Sequence, residues 1–464
     1  MNWFQPALDR LQALPQDPDP RLQAFLSSER TLYVARAPGR LDVMGGIADY
    51  SGARVLELPL ACSTSVLVQS QAERHCDIAS RRGERWDRFG MDLPLAEPRE
   101  LAAWFQTHEI DRWAGYVVGV VQAMVALARS TAAVEGGLRI LIDSSVPEGK
   151  GVASSAALEV AVAMAVAARY GVDIAPTELA ALCQRVENHV VGAPCGIMDQ
   201  VTSACGKEDT LLNLRCQPGT IEGYVTVPHG YRFYGIDSGI THAVSGADYS
   251  TVRTAAFMGL RILTSDTAWR GQYLANLTPS QFGELARVLP EEMSGAEFLQ
   301  RYGGTSDSAT SVVAERCYPV RRAAAHPVHE QQRVDQFAAL LHELRRRPGA
   351  ARELGELMYA SHESYGACGL GSDGTDRLVA LVKAEAPEHG LFGAKITGGG
   401  SGGTVAVFAT TDAEPFIRDL AARYSAETGR ATRVFAESGP GAAETGVLER
   451  GPSAAVPRLR RASS

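Results

Sequence analysis

The alternation of apolar and polar positions divides the chain into short apolar runs of strand length and longer stretches with helical period. Residues 2–30 read as an amphipathic helix broken by "PQDPDP", a lead-in ahead of the first domain. "TLYVARAPGR" reads as a strand running into a loop, and "ARVLELPLACSTSVLVQSQ" has the β-branched content of one or two further strands. "GLRILIDSSVPEGKGVASSAALEVAVAMAVAARYGV" predicts an apolar strand, a Gly/Ser loop and a long helix that begins within the serines. A second helix follows in "TELAALCQRVENHVVG", ended by glycine. From Tyr231, "YRFYGIDSG" predicts a strand and "GADYSTVRTAAFMGLRIL" a helix, whereas residues 267–311 are less periodic and read as an insertion. "QQRVDQFAALLHELRR" and "ARELGELMYASHESY" are helical, and "FGAKITGGGSGGTVAVFAT" is strand, glycine loop, strand. Helices and strands interleave without the spacing of a barrel or a doubly wound sheet, so the fold class predicted is α+β in two lobes. The expected division is a lead-in (1–30), an N-terminal domain (31–226), a C-terminal domain (227–437) and a Pro/Gly/Ser/Ala-rich disordered tail (438–464).

Composition narrows the partners. The 464 residues, 45% of them hydrophobic, supply an ample core. A formal net charge of −8 argues against a nucleic-acid surface, and no basic run is long enough to reverse that except the short tail "RLRR". The first residues mix Asp, Arg and Pro with apolar side chains, unlike a signal peptide, and the apolar "VAVAMAVAA" is too short to span a bilayer. The expectation is a cytoplasmic protein with neither nucleic acid nor membrane as partner. Eight cysteines without a CxxC pair predict reduced, structural thiols rather than a zinc cage.

Several chemical signatures fail on context. "PEGKGVASS" has Gly151 where a Walker loop needs Ser or Thr, and no His-Glu pair has a second His four residues on. "GLGSDG" and "GGGSGG" both fit GxGxxG, but neither sits between a strand and a following helix. What remains suits a nucleotide and a polyol. Gly149, Gly151, Ser154 and Ser155, at the start of a helix, expose backbone N–H groups and the positive end of the helix dipole to an anion such as a phosphate chain. Lys150 adds a charge beside them, although a serine-capped helix would look the same. Ser155 and Glu187 are available as oxygen ligands for magnesium, with a solvent-facing helix carboxylate as the alternative for Glu187. Asp199 follows an apolar Ile-Met pair and needs a partner, for which Arg40 is the candidate; a buried ion pair without chemistry would satisfy the same pattern.

In combination these stretches resemble the three motifs of the GHMP small-molecule kinases, in the galactokinase-like subgroup. "APGRLDVMGGIADYSG" is similar to the sugar-binding motif, "PEGKGVASSAALEVA" to the phosphate motif and "KITGGGSGGTVAVF" to the glycine-rich third motif. "CQRVENHVVGAPCGIMDQ" and "ADYSTVR" extend the likeness, which covers about residues 31–436. The resemblance implies a two-lobed fold with an N-terminal α/β lobe and a ferredoxin-like C-terminal lobe, with ATP and a monosaccharide meeting between them. It further implies that Asp199 and Arg40 are catalytic, that Asp49, Gly46, Ile47, Gly196 and Tyr249 meet the sugar, and that Gly149, Lys150, Gly151, Ser154, Ser155, Gly399 and Gly400 meet ATP. Ser155 and Glu187 match the Mg2+ positions.

One departure concerns specificity. Galactokinases read "GEHTDY" where this chain has "GGIADY", so Gly46 replaces Glu and Ile47 replaces His, while Asp49 is retained. The missing pair lies near the sugar C6 hydroxymethyl in that family, and L-arabinopyranose is D-galactopyranose without C6. The run also resembles the kinase domain of plant L-arabinokinases, as does "YGACGLGSDGTDRL". L-Arabinose 1-kinase activity is therefore the first expectation, D-galactose 1-kinase activity the alternative, and an inactive sugar sensor a third reading that would not need all of Arg40, Ser155, Glu187 and Asp199. Asp42 also departs, standing where asparagine is common.

Overall fold

The computed structural model describes residues 3–93, 97–129, 136–241, 247–386, 388–452 and 458–460. Its first lobe is built on a mixed nine-stranded sheet. Along the main path the strands run Arg458–Arg460, Val447–Arg450, Leu32–Met44, Arg54–Gln71, Gly137–Ser144, His75–Arg82 and Arg85–Asp92; Thr210–Arg215 and Thr220–Thr226 branch from the Arg54–Gln71 strand. Helices Arg112–Arg129, Ser154–Tyr170, Pro176–Val186 and Met198–Cys205 cover this sheet. The Ser154–Tyr170 helix is buried almost all round, and its run of small residues (Ala156, Ala157, Ala161, Ala163, Ala165, Ala167) lets it lie close to the strands beneath. The stretch Glu109–Ala128 has the length and composition of a membrane span, yet Val117, Val120, Val121 and Met124 sit in the same apolar core.

The second lobe is a four-stranded antiparallel sheet in the order Leu391–Ile396, Thr404–Thr410, Tyr231–Asp237, Val434–Phe435, packed with long helices. The lobes share apolar cores. Leu41, Val43, Met44 and Leu56 of the first lobe pack with Val334, Phe337, Leu354 and Phe408 of the second. Ile47 and Tyr50 pack with Tyr249, Tyr365 and Phe298. The cleft between the lobes is therefore walled by elements that bury one another's side chains.

Two sequence expectations change. The strand expected to end near residue 40 runs on to Met44, with register shifts after Pro38 and Asp42 that re-aim Arg40 and Asp42; only Gly46–Ser51 is a tight turn. The tail from 438 is not disordered over its described part: Val447–Arg450 pairs antiparallel with Leu32–Ala35, and Arg36 Nη1 donates to Pro440 O at 2.9 Å. An unpaired edge on the Leu32–Met44 strand would leave backbone groups without partners, and the returning chain satisfies them. Residues 453–457 and 461–464 of that expected tail lie outside the described residues. Residues 267–311, read as an insertion, contribute Leu274, Leu277, Phe282 and Phe298 to the core that holds Ile47 and Tyr249.

Candidate active site

The phosphate-loop candidate connects the Gly137–Ser144 strand to the Ser154–Tyr170 helix. Ala153, the residue just before that helix, is held in the left-handed region (φ 59°), a strained state for a residue with a Cβ. The strain turns the chain so that Ser154 and Ser155 open the helix toward the cleft, where their N–H groups have no partner within the helix. In the next helix the chain adds a π-helical turn, Glu187–Val191, and this turn carries Glu187 inward to the same cleft. Ser155 and Glu187 line the cleft together, and the Glu187 carboxylate accepts from Gln200 Nε2 at 2.7 Å. Burial first, and then the charge of Asp199, push the Glu187 pKa up to about 7. Two oxygen ligands on one cleft, one of them a carboxylate with no cationic partner among the described residues, fit a small divalent cation.

Arg40 lies at the centre of the cleft wall. It reaches Asp199 Oδ1 with Nε at 2.9 Å and Nη2 at 2.8 Å, and Nη1 donates to Gly151 O at 2.6 Å. The arginine thus fixes the carboxylate and the phosphate loop together. Burial alone would lower its pKa, but the carboxylates of Asp199, Glu57 and Asp42 outweigh that and raise it above the ordinary value. Glu57 stands 3.3 Å from Nε, fully buried, and neither of its oxygens has a hydrogen-bond partner among the described residues. Burial, then the Asp42 charge, raise the Glu57 pKa well above its ordinary value. Asp199 stands at the first turn of the Met198–Cys205 helix.

The turn Gly46–Ser51 places Asp49 across the cleft, buried, with Oδ1 accepting Tyr50 N–H at 2.7 Å. Burial and the Asp199 charge raise the Asp49 pKa to about 7. Gly196 faces it so closely that a Cβ there would lie 1.6 Å from Asp49 Oδ2. Ile47, Tyr249, Cys195 and Met198 complete an open cleft of about 670 Å³, its solvent-facing space included. Beside it, sharing Gly149, Ser154 and Ser155, opens a second cavity of about 940 Å³ lined by Trp113, Tyr116, Ile142, Leu158, Arg81, Arg82 and Ser144. Aromatic walls with hydroxyl and guanidinium groups at the rim suit a flat heterocycle bearing polar substituents.

Known proteins match this architecture. The GHMP kinases N-terminal domain matches residues 115–207 and the GHMP kinases C-terminal domain residues 338–426. A galactokinase of Chloroflexus aggregans is 30% identical over 86% of this chain and 89% of its own length. The chain belongs to the GHMP kinase family. The L-arabinokinase of Arabidopsis thaliana is 40% identical over 90% of the chain, which spans about half (47%) of the length of that plant protein. The crystal structure of Lactococcus lactis galactokinase complexed with galactose superposes with a TM-score of 0.73 at 20% identity, covering 94% of this chain and 99% of that one, so the GHMP kinase fold is shared.

Of the site residues expected from the sequence, Arg40, Gly46, Ile47, Asp49, Gly149, Gly151, Ser154, Ser155, Glu187, Gly196, Asp199, Tyr249 and Gly399 all face the 670 Å³ cleft. Two do not reach either cavity. Lys150 turns away to pair with Asp237 at 3.4 Å, and Gly400 packs against Leu370. The polar contact expected of Lys150 is thus satisfied inside the GHMP kinase fold by a carboxylate of the second lobe. Sequence reasoning also missed Trp113 and Tyr116, whose helix reads simply as apolar, and Cys195, which lines the cleft. Asp42, the unexplained departure, forms a fully buried pair with Lys395 at 2.7 Å.

Proposed function

We propose that this GHMP kinase is an ATP-dependent sugar 1-kinase that converts L-arabinose to L-arabinose 1-phosphate with release of ADP. The observation carrying the proposal is the Arg40-clamped Asp199, set between the Gly149–Ser155 loop and a sugar loop that offers Asp49 but no polar side chain at residues 46 and 47. The 40% identity to the plant L-arabinokinase supports the same substrate.

In this reading the adenine occupies the Trp113–Tyr116 cavity and the phosphates pass along the Gly149–Ser155 N–H groups, with Gly399 on the opposite wall. Asp49, Gly196 and Tyr249 hold ring hydroxyls and turn the anomeric hydroxyl toward Asp199. Asp199 accepts the proton of that hydroxyl as its oxygen bonds the γ-phosphorus, the β–γ P–O bond breaks and ADP departs. Arg40 holds the Asp199 carboxylate in place through its contacts at 2.8–2.9 Å. Ser155 and Glu187 would hold Mg2+, which when bound neutralises charge on the phosphate oxygens.

Specificity rests on the missing polar pair. A galactose O6 facing Ile47 without a partner would forfeit about 1–3 kcal/mol, roughly ten- to hundredfold in preference. D-Galactose 1-kinase activity is the second reading, favoured by the match along most of the Chloroflexus galactokinase. The test is sugar-dependent ADP release with L-arabinose, followed by phosphorus NMR of the product. An anomeric phosphate ester of arabinose is expected; absence of sugar-dependent ADP with either sugar would refute the kinase reading.

A further inference from the structure

Tyr365 lies outside the three motifs, at the head of "YGACGLGSDGTDRL", is fully buried on the Ala350–Ala367 helix and does not line the cleft. Its hydroxyl nevertheless meets both loops that do. It accepts the Ile47 N–H at 2.9 Å and donates to Gly398 O at 3.0 Å. Beside it, Asp42 accepts the Gly46 N–H at 3.1 Å, the Gly398 N–H at 3.3 Å and Lys395 Nζ at 2.7 Å. Gly46 has φ +20°, and a Cβ built there would lie 1.5 Å from the Tyr365 hydroxyl oxygen and 2.7 Å from Asp42 Oδ2. The phenol therefore fills the volume that any side chain at 46 would need.

We propose that Tyr365 is the positioning residue for sugar selectivity: it excludes a side chain at 46 and fixes Ile47 as the apolar wall of the sugar pocket. The assignment rests on the sugar 1-kinase reading. It follows that exchanging Gly46 for Glu and Ile47 for His cannot alone convert the pocket to a galactose site, because the glutamate would collide with Tyr365. A tyrosine with a merely structural part would, when changed, slow both sugars alike. One that sets the 46–47 wall changes their ratio.

The test uses the full chain with Tyr365→Phe and Tyr365→Leu, measuring kcat/KM for L-arabinose and D-galactose, KM for ATP, and melting temperature. Loss of the hydroxyl in Tyr365→Phe is expected to lower the arabinose-to-galactose ratio by about three- to tenfold, the worth of one hydrogen bond, with KM for ATP within about twofold. Tyr365→Leu, which also vacates the volume beside Gly46, lowers the ratio further; should it fail to fold, the Phe variant carries the test. A ratio that stays constant in an active Phe variant, or equal losses for both sugars, overturns the assignment alone. A wild-type chain that phosphorylates neither sugar overturns the kinase reading, and this assignment with it.

Discussion

Gly196→Ala places one methyl group against the side chain that is proposed to hold the sugar. Gly196 does not adopt a left-handed conformation, so alanine brings no backbone strain and the effect is purely one of space. Its Cβ would lie 1.6 Å from Asp49 Oδ2 and 2.1 Å from Cγ, where ordinary contact begins at 3.4 Å. Asp49 would have to retreat by about 2 Å, and displacements of even about 1 Å can cost roughly a hundredfold in rate. Retreat is resisted, because the carboxylate is buried and tied to the Tyr50 N–H at 2.7 Å. We expect kcat/KM for L-arabinose to fall about a hundredfold or more, with overpacking costing about 1–3 kcal/mol of stability. Steady-state kinetics, nucleotide binding by calorimetry and urea unfolding separate these effects. Nucleotide affinity should stay within about threefold, since the second cavity does not include Gly196. A folded variant with kcat/KM within threefold of wild type would refute the placement of the sugar against Asp49.

Two other perturbations probe the electrostatics. Asp199→Asn keeps the shape but removes the charge that Arg40 clamps at 2.8–2.9 Å, so turnover should fall at least about a thousandfold while ATP still binds; turnover within tenfold of wild type would show that Asp199 is not the group accepting the proton. The second concerns pH. Burial, then Asp199, raise the folded-state pKa of Asp49 from 3.8 to about 7, so the stability that its protonated form contributes is present in full below about pH 4 and lost as pH rises through about 7. Stability of the ligand-free chain should therefore decline from pH 5 to 8, and Asp49→Asn should flatten that decline; equal slopes in urea unfolding of the two proteins would contradict the shift.

The three glycine-bearing loops that meet at the cleft were legible because the phosphate and sugar sites proposed for them need exposed backbone N–H groups and small residues at fixed spacing along the chain. Arg40 with Asp199 was legible because a carboxylate after an apolar pair demands a partner. What holds those loops was not. Glu330, which accepts the Gly45 N–H at 3.2 Å, comes from a helix of the second lobe that no motif includes, and Lys395 and Tyr365, although they open quoted stretches, carry no local sign of their partners at 42–47. Only the fold brings them within reach of residues 42–47. Lys150 beside a glycine loop suggests phosphate, and only the fold shows that Asp237, on a strand of the other lobe, lies 3.4 Å from its ammonium. The Pro/Gly-rich composition after Ser438 likewise hid the short Val447–Arg450 strand, whose place is set by the free edge at Leu32–Ala35.

The central claim is that a sugar loop bearing Gly46 and Ile47 selects a pentose of galactose-like configuration. Its most direct measurement is kcat/KM for L-arabinose, D-galactose and D-fucose with the wild-type chain and saturating ATP. The account predicts L-arabinose first by roughly ten- to hundredfold over D-galactose, the cost of stranding one hydroxyl. D-Galactose equal to or better than L-arabinose would contradict it.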